Sequence, residues 1–295
     1  MIHSIRSKVK ECHPLIHCIT NPISIHQCAN AILAVGARPM MAEHPKEVRE
    51  ITQSADALLL NLGNITDARM ESMQISAKAA KQKGIPVVLD AVGVACSTLR
   101  RSFARELLKT VSPTVIKGNY SEINALYHEE YHSAGVDADV SLGQAFVSRA
   151  AIALAGTYQA VILASGKADI ITDGKRLVYG YNGTPQLATV TGTGCMLGAL
   201  CAAYLSGAVK TDTMRQSQIG IMSTMDAVRN SETKNVAAMD AVITACAVLG
   251  ICGKFSETEQ GSGSFMTNLM NTLSILKDAD IEKYLDVEER IIEGF

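Results

Sequence analysis

Short, unbroken apolar runs recur through the first 120 residues, and amphipathic stretches separate them. Leu15–Thr20 (LIHCIT), Ala57–Gly63 (ALLLNLG), Pro86–Val92 (PVVLDAV) and Thr114–Lys117 read as strands, with a brief one at Pro39–Met41. Ser24–Val35, Lys46–Ala55, Thr66–Lys83, Ser102–Lys109 and a segment from Ser121 read as helices, two of them stopped by Gly36 and Gly84. A strand that is apolar on both sides must be covered on both sides. A helix between two such strands is long enough to return the chain to a parallel neighbour. The pattern predicts an α/β fold with a largely parallel sheet sandwiched between helices.

The second half reads differently. Tyr127–Val140 is polar and reads as a surface excursion, followed by a helix at Leu142–Leu154 and a strand at Ala160–Ala164. Asp169–Thr172 and Leu177–Tyr181 read as a β-hairpin turning at Asp173-Gly174. Beyond Thr191 the pattern is helical: Cys195–Leu205, Thr213–Val228, Ala237–Cys252, Ser264–Leu276 and Ile281–Arg290. With no Pro/Ser-rich linker and no repeat, residues 1–295 read as a single domain.

Charge narrows the function classes. Basic and acidic residues number 27 and 29, for a net charge of −2, so no basic groove for nucleic acid is expected. The eight cysteines include no Cys-x-x-Cys pair and lie mostly in apolar segments. Buried free thiols in a reducing cytoplasm are the expectation, and no zinc site. The opening residues MIHSIRSKVKECHP lack the apolar stretch of a secretory leader. Val236–Gly250 is interrupted by Asp240 and Thr244 and reads as too short and too polar for a membrane span. The protein is expected in the cytoplasm, with no membrane partner.

The stretch that carries chemistry is Ala188–Ala203 (ATVTGTGCMLGALCAA), where the turn Thr191-Gly192-Thr193-Gly194 runs directly into an apolar helix at Cys195. Glycine admits a close-lying ligand, and the first helical turn offers unpaired N–H groups at the positive end of the dipole. Such a turn suits the equatorial oxygens of a phosphoryl group in transfer. It is also a common way to start a helix, and from spacing alone both readings stand.

Further motifs follow one another along the chain: HCITNPIS at His17–Ser24, GARPMMAEHPKEV at Gly36–Val48, LLLNLGNI at Leu58–Ile65, VVLDAVGVA at Val87–Ala95, IKGNYSEI at Ile116–Ile123 and GSGSF at Gly261–Phe265. Together with TGTGC they resemble, in order and over nearly the whole length, the hydroxyethylthiazole kinases. These are ribokinase-like enzymes in which a cysteine replaces the superfamily's usual catalytic aspartate. Ala91 stands where the family has proline, Lys117 where it commonly has arginine, and Ser165 where threonine is common.

The resemblance implies a ribokinase-like three-layer α/β/α sandwich that transfers the γ-phosphoryl group of ATP to the alcohol of 4-methyl-5-(2-hydroxyethyl)thiazole. It implies Cys195, Gly194 and Thr193 as the catalytic turn, with Cys195 acting as a base or only positioning the hydroxyl. Met41 is implied as a wall of the thiazole slot, to which Asn21 and Gly192 are added. Lys117, Ser165 and Asn119 would lie on the ATP side, and Asp90 and Glu122 near a magnesium ion, mostly through water. A carboxylate at either of those two places also serves as a cap or a surface charge. Homotrimers with sites at subunit contacts are implied as well, with Asn21 and Met41 facing a Cys195 from the neighbouring chain. His17 and His26, and the i, i+4 pair His128 and His132, suggest no metal site.

Overall fold

The computed structural model describes residues 2–128, 143–219 and 226–292, without the side chains of 210–234. The described residues form one nine-stranded sheet. Six strands are mutually parallel: β1 (Leu15–Ile19), β2 (Arg38–Met40), β3 (Ala57–Asn61), β4 (Val87–Asp90), β5 (Val115–Asn119) and β6 (Val161–Ser165), in the order β2-β1-β3-β4-β5-β6. The sheet continues antiparallel through β7 (Asp169–Thr172), β8 (Arg176–Gly180) and β9 (Val287–Ile291).

Alternate residues of each central strand feed two separate cores. Ala57 and Leu59 of β3 face the core built with α1 (Ile2–Cys12), α2 (Ile25–Ala34), α8 (Thr193–Ile219), α9 (Asp226–Phe255), α10 (Ser262–Ile275) and α11 (Asp278–Tyr284). Leu58 and Leu60 face the core built with α3 (Val48–Ser54), α4 (Asp67–Lys83), α5 (Thr98–Thr110), α6 (Tyr120–Tyr127) and α7 (Gln144–Tyr158). This is the α/β/α sandwich that apolar two-faced strands require. Thr66 caps α4 by accepting from the Arg69 amide, and Gly84 ends it in the left-handed conformation at φ 77°.

Three expectations are corrected. Thr193–Ile219 is one helix that runs beyond Leu205, so no break precedes Thr213; residues 220–225 lie outside the described part. The helix expected at Ile281–Arg290 ends at Tyr284, and Val287–Ile291 is a strand. Local propensity loses there to the open edge of β8. The added strand joins Arg176 Nε to Glu289 Oε1 at 2.6 Å and lays the Arg290 guanidinium over the Tyr179 ring. Finally, Asn235–Phe255, 21 residues, is by length and composition apolar enough to cross a membrane, and 89% of its most apolar window is buried inside the fold. The excursion at Tyr127–Val140 lies mostly outside the described residues, as does His132; His128 stacks on Phe146.

Candidate active site

Strand register assembles the first part of the site. Asn61, Asp90 and Lys117 are aligned partners at the carboxyl ends of β3, β4 and β5. Being two residues beyond Leu59, Val88 and Val115, they point to the same side as those core residues, toward α8. Lys117 Nζ donates to Asp90 Oδ1 at 2.9 Å, and Asn61 Nδ2 donates to Asp90 Oδ2 at 2.9 Å. All three are buried, Asp90 completely. Burial lifts the Asp90 carboxyl above the ordinary carboxylate value, opposed by Lys117 and Asn61. Burial pulls Lys117 down most strongly, but the Asp90 charge and hydrogen bond, with Cys195 and Glu122 beside them, together outweigh it, and the ammonium titrates above the usual lysine range.

The glycine turn brings α8 onto this row. Gly192 adopts φ 98°, a left-handed conformation suited to glycine, and a Cβ there would lie 3.1 Å from the Ser24 Cβ. Its carbonyl accepts from the Met196 amide, so the helix starts at Thr193, whose hydroxyl donates to the Leu187 carbonyl at 2.9 Å. The first-turn amides of Thr193, Gly194 and Cys195 have no acceptor within the helix. A Cβ on Gly194 would lie 3.6 Å from Lys117 Nζ, and one on Gly198 3.0 Å from Asp90 Oδ2. The absence of side chains at both positions lets the helix sit over the ion pair. Asn21, just past β1, donates from Nδ2 to Cys195 Sγ at 3.3 Å and to Asn61 Oδ1 at 3.4 Å. A single chain therefore brings Asn21 to its own Cys195, which corrects the expectation that a neighbouring chain supplies the thiol to Asn21.

A cavity of about 600 Å³ opens beside this helix start, lined by Thr193 and Gly194, by Ser165 and Asp169, and by Leu187 and Leu249 among others. Its size suits a nucleotide. Ser165 donates to the Gly118 carbonyl at 3.3 Å. Burial pushes the Asp169 carboxyl up to about 6, partly offset by the Gly166 amide that donates to it. The sequence reading missed Asp169, Leu187 and Leu249, because α9, the 3-10 turn Pro185–Thr189 and the hairpin meet only in three dimensions. It also gave Asn61 no role, although a polar residue closing an apolar strand run was a signal.

Asn119 and Glu122 form a capping box at the start of α6. Asn119 Oδ1 accepts from the Glu122 amide at 2.9 Å, and Glu122 Oε2 from the Asn119 amide at 2.7 Å. Glu122 Oε1 accepts from the Gly93 amide at 2.7 Å. Burial pushes the Glu122 carboxyl up to about 7, with the Asp90 charge adding to the rise and Lys117 opposing it. Asp90 and Glu122 are two buried carboxyl groups beside one ammonium, and a divalent cation there would favour their charged forms. Both already accept hydrogen bonds from protein donors, and no group of three or more His, Cys, Asp or Glu suited to a metal occurs among the described residues. This donor set fits a magnesium ion that keeps its waters and takes phosphate oxygens, rather than one held by protein alone.

Met41 follows β2 directly and is half-buried against the α8-side core. The residues after it are clamped. His17 Nε2 lies 2.9 Å from the Ala42 carbonyl, and its Nδ1 lies 2.9 Å from Thr52 Oγ1. Arg69 holds the Glu43 carboxylate through Nε at 2.7 Å and Nη2 at 3.3 Å. His17 is thus a buried structural histidine, its pKa lowered by burial.

Comparison with known proteins agrees with this geometry. The model of the hydroxyethylthiazole kinase family matches residues 6–238. The chain is 41% identical to hydroxyethylthiazole kinase 2 of Clostridium botulinum (strain Hall) over 285 residues, 95% of this chain and 97% of that one. It is 43% identical over 196 residues to hydroxyethylthiazole kinase of Thermoanaerobacter pseudethanolicus, 66% of this chain and 74% of that one. The solved hydroxyethylthiazole kinase protein of Pyrococcus horikoshii superposes with a TM-score of 0.81 at 29% identity, covering 98% of both chains. Pyridoxal kinase from Staphylococcus aureus, solved with ADP, shares the fold at a TM-score of 0.59 and 14% identity, covering 94% of this chain and 98% of that one. With the family model spanning most of its length and its glycine turn, cysteine and buried polar row drawn together as described, this chain belongs to the hydroxyethylthiazole kinase family.

Proposed function

We propose that this protein is an ATP-dependent hydroxyethylthiazole kinase of thiamine salvage, working as a single domain. The observation that carries the reading is the start of α8: Thr193 and Gly194 line the nucleotide-sized cavity, while the next residue, Cys195, meets Asn21 on the other side. A γ-phosphoryl group held by the first-turn amides would lie between a nucleotide and an alcohol at the thiol. Cys195 accepts a hydrogen bond from the substrate hydroxyl and orients it, and as a thiolate takes its proton to become the neutral thiol as the new O–P bond forms. The bond from Pγ to the bridging oxygen breaks, and ADP leaves with that electron pair. Lys117 supplies positive charge beneath the turn, and Ser165 and Asn119 lie along the phosphate side. Asp90 and Glu122 would hold a magnesium ion, which would supply charge neutralisation for the phosphates. Met41 and Gly192 wall the thiazole slot.

The protein would work in the cytoplasm, where ATP is available. From its family resemblance the protein would assemble as a homotrimer, with the Met41 edge of each chain against a neighbour. Sedimentation would test the assembly. The activity is tested by following ADP release from ATP and magnesium with the thiazole alcohol, and in parallel with a hydroxymethylpyrimidine and a sugar. Turnover of the thiazole alcohol well above the others is expected. Turnover of the pyrimidine alone would assign a different acceptor, and thiazole binding without ADP release would make the protein a binder.

A further inference from the structure

The buried row between the thiol and the ion pair has a direction built into it, and Asn61 sets that direction. The Gly63 amide donates to Asn61 Oδ1 at 2.8 Å, so the Asn61 amide group turns its Nδ2 toward Asp90. The Ile23 and Ser24 amides donate to Asn21 Oδ1 at 3.1 and 3.2 Å, so Asn21 turns its Nδ2 inward. A side-chain amide nitrogen carries two hydrogens and no acceptor. The Asn21 Nδ2 therefore has one hydrogen for Asn61 Oδ1 and one for Cys195 Sγ. Flipping either amide would oppose two acceptors or two donors inside a buried site and leave each group unsatisfied. Gly63 makes room for the arrangement: a Cβ there would lie 2.7 Å from Asn21 Nδ2 and 2.9 Å from Asn61 Oδ1.

We propose that Asn61 is a positioning residue for phosphoryl transfer: together with the Ile23 and Ser24 amides it holds the Asn21 amide so that an N–H faces the Cys195 sulfur, and it ties that sulfur to the Asp90–Lys117 pair. The sulfur is thereby kept as a hydrogen-bond acceptor, the state that an incoming hydroxyl needs. Asn61 acts on the sulfur through Asn21. The inference rests on the kinase reading above, in which Cys195 meets the alcohol.

The test uses Asn61→Ala, Asn61→Asp and Gly63→Ala in the full chain. Melting temperature, kcat and both KM values are measured, together with the rate at which iodoacetamide labels Cys195, read on its own peptide by mass spectrometry. Asn61→Ala is expected to lower kcat about tenfold or more with the ATP KM little changed, and to slow labelling several-fold. Gly63→Ala, which pushes the two amides apart, should do the same. Asn61→Asp keeps the acceptor toward Gly63 and Asn21 but, unlike Asn61→Ala, sets a second carboxylate against buried Asp90 and disturbs its pairing with Lys117. It should restore Cys195 labelling while raising the ATP KM. Wild-type labelling and kcat in a folded Asn61→Ala would overturn the proposal, as would equal loss of every readout in Asn61→Ala and Asn61→Asp. If Asn61→Ala does not fold, Gly63→Ala and Asn61→Asp decide by the same criteria. A wild-type chain with no turnover sinks the kinase reading instead, and labelling alone then decides this inference.

Discussion

Asn21 reaches Cys195 across 174 positions of sequence and donates a hydrogen bond to its sulfur at 3.3 Å. An aspartate at 195 would receive the same N–H and carry full charge at neutral pH. Cys195→Asp is therefore expected to retain or raise kcat, and Cys195→Ala to lower it by about 100-fold or more. Steady-state ADP release decides the matter. A folded Asp variant without turnover would remove Cys195 from the hydroxyl.

Lys117 neutralises a carboxylate that has no contact with solvent. Lys117→Ala leaves Asp90 buried without a cation and is expected to cost about 3–5 kcal/mol, read as a large fall in melting temperature. Lys117→Arg keeps the charge and adds a fork for phosphate oxygens, so it should stay folded and lower the KM for ATP. An unchanged ATP KM would separate Lys117 from the phosphates.

Glu122 links stability to pH. Its carboxyl titrates at 4.5 when free and at about 7 in the folded chain, chiefly because it is buried. Between those values the folded state holds a proton that the unfolded state has lost. The stabilisation is full below pH 4.5 and disappears as pH rises toward 7. Glu122→Gln has no such titration. The melting-temperature difference, wild type minus Glu122→Gln, should shrink from pH 5 to pH 8. A difference independent of pH would contradict the buried titration.

Arg69 braces the segment beside the proposed thiazole slot. Its two bonds to Glu43 hold the segment that follows Met41. Arg69→Ala is expected to raise the KM for the thiazole alcohol about threefold to tenfold and leave the ATP KM alone. A matching rise in both would mean a general loss of structure.

Gly192 takes a backbone conformation that costs an L-residue roughly 1–2 kcal/mol, and a Cβ would press on Ser24. Gly192→Ala should lower kcat by displacing the first-turn amides, with a melting-temperature loss of only a few degrees. Normal turnover in this variant would detach the turn from the chemistry.

The parallel sheet, its helical cover and the glycine turn at α8 were legible in the sequence, because each rests on local periodicity or on a glycine where the chain must bend. Apolar runs such as Ala57–Leu60 can exist only covered on both faces, and Gly192 precedes a helix wherever the rest of the chain lies. The cysteine in the first turn of α8 and the carboxylate that ends β4 were readable for the same reason. What only the tertiary structure decided is who meets whom. Asn61, Asp90 and Lys117 form a row because parallel register aligns them, and register is a property of paired strands. The strand at Val287–Ile291 exists because β8 offers an open edge, which overrides a helix-prone local sequence. The nucleotide-sized cavity arises where β6, the hairpin, the 3-10 turn, α8 and α9 converge. Glu122 likewise appeared in the sequence as a metal-side carboxylate, and the fold also makes it a cap, because its oxygens reach the Gly93 and Asn119 amides. Such contacts join residues far apart along the chain, and no local pattern encodes the distances between them.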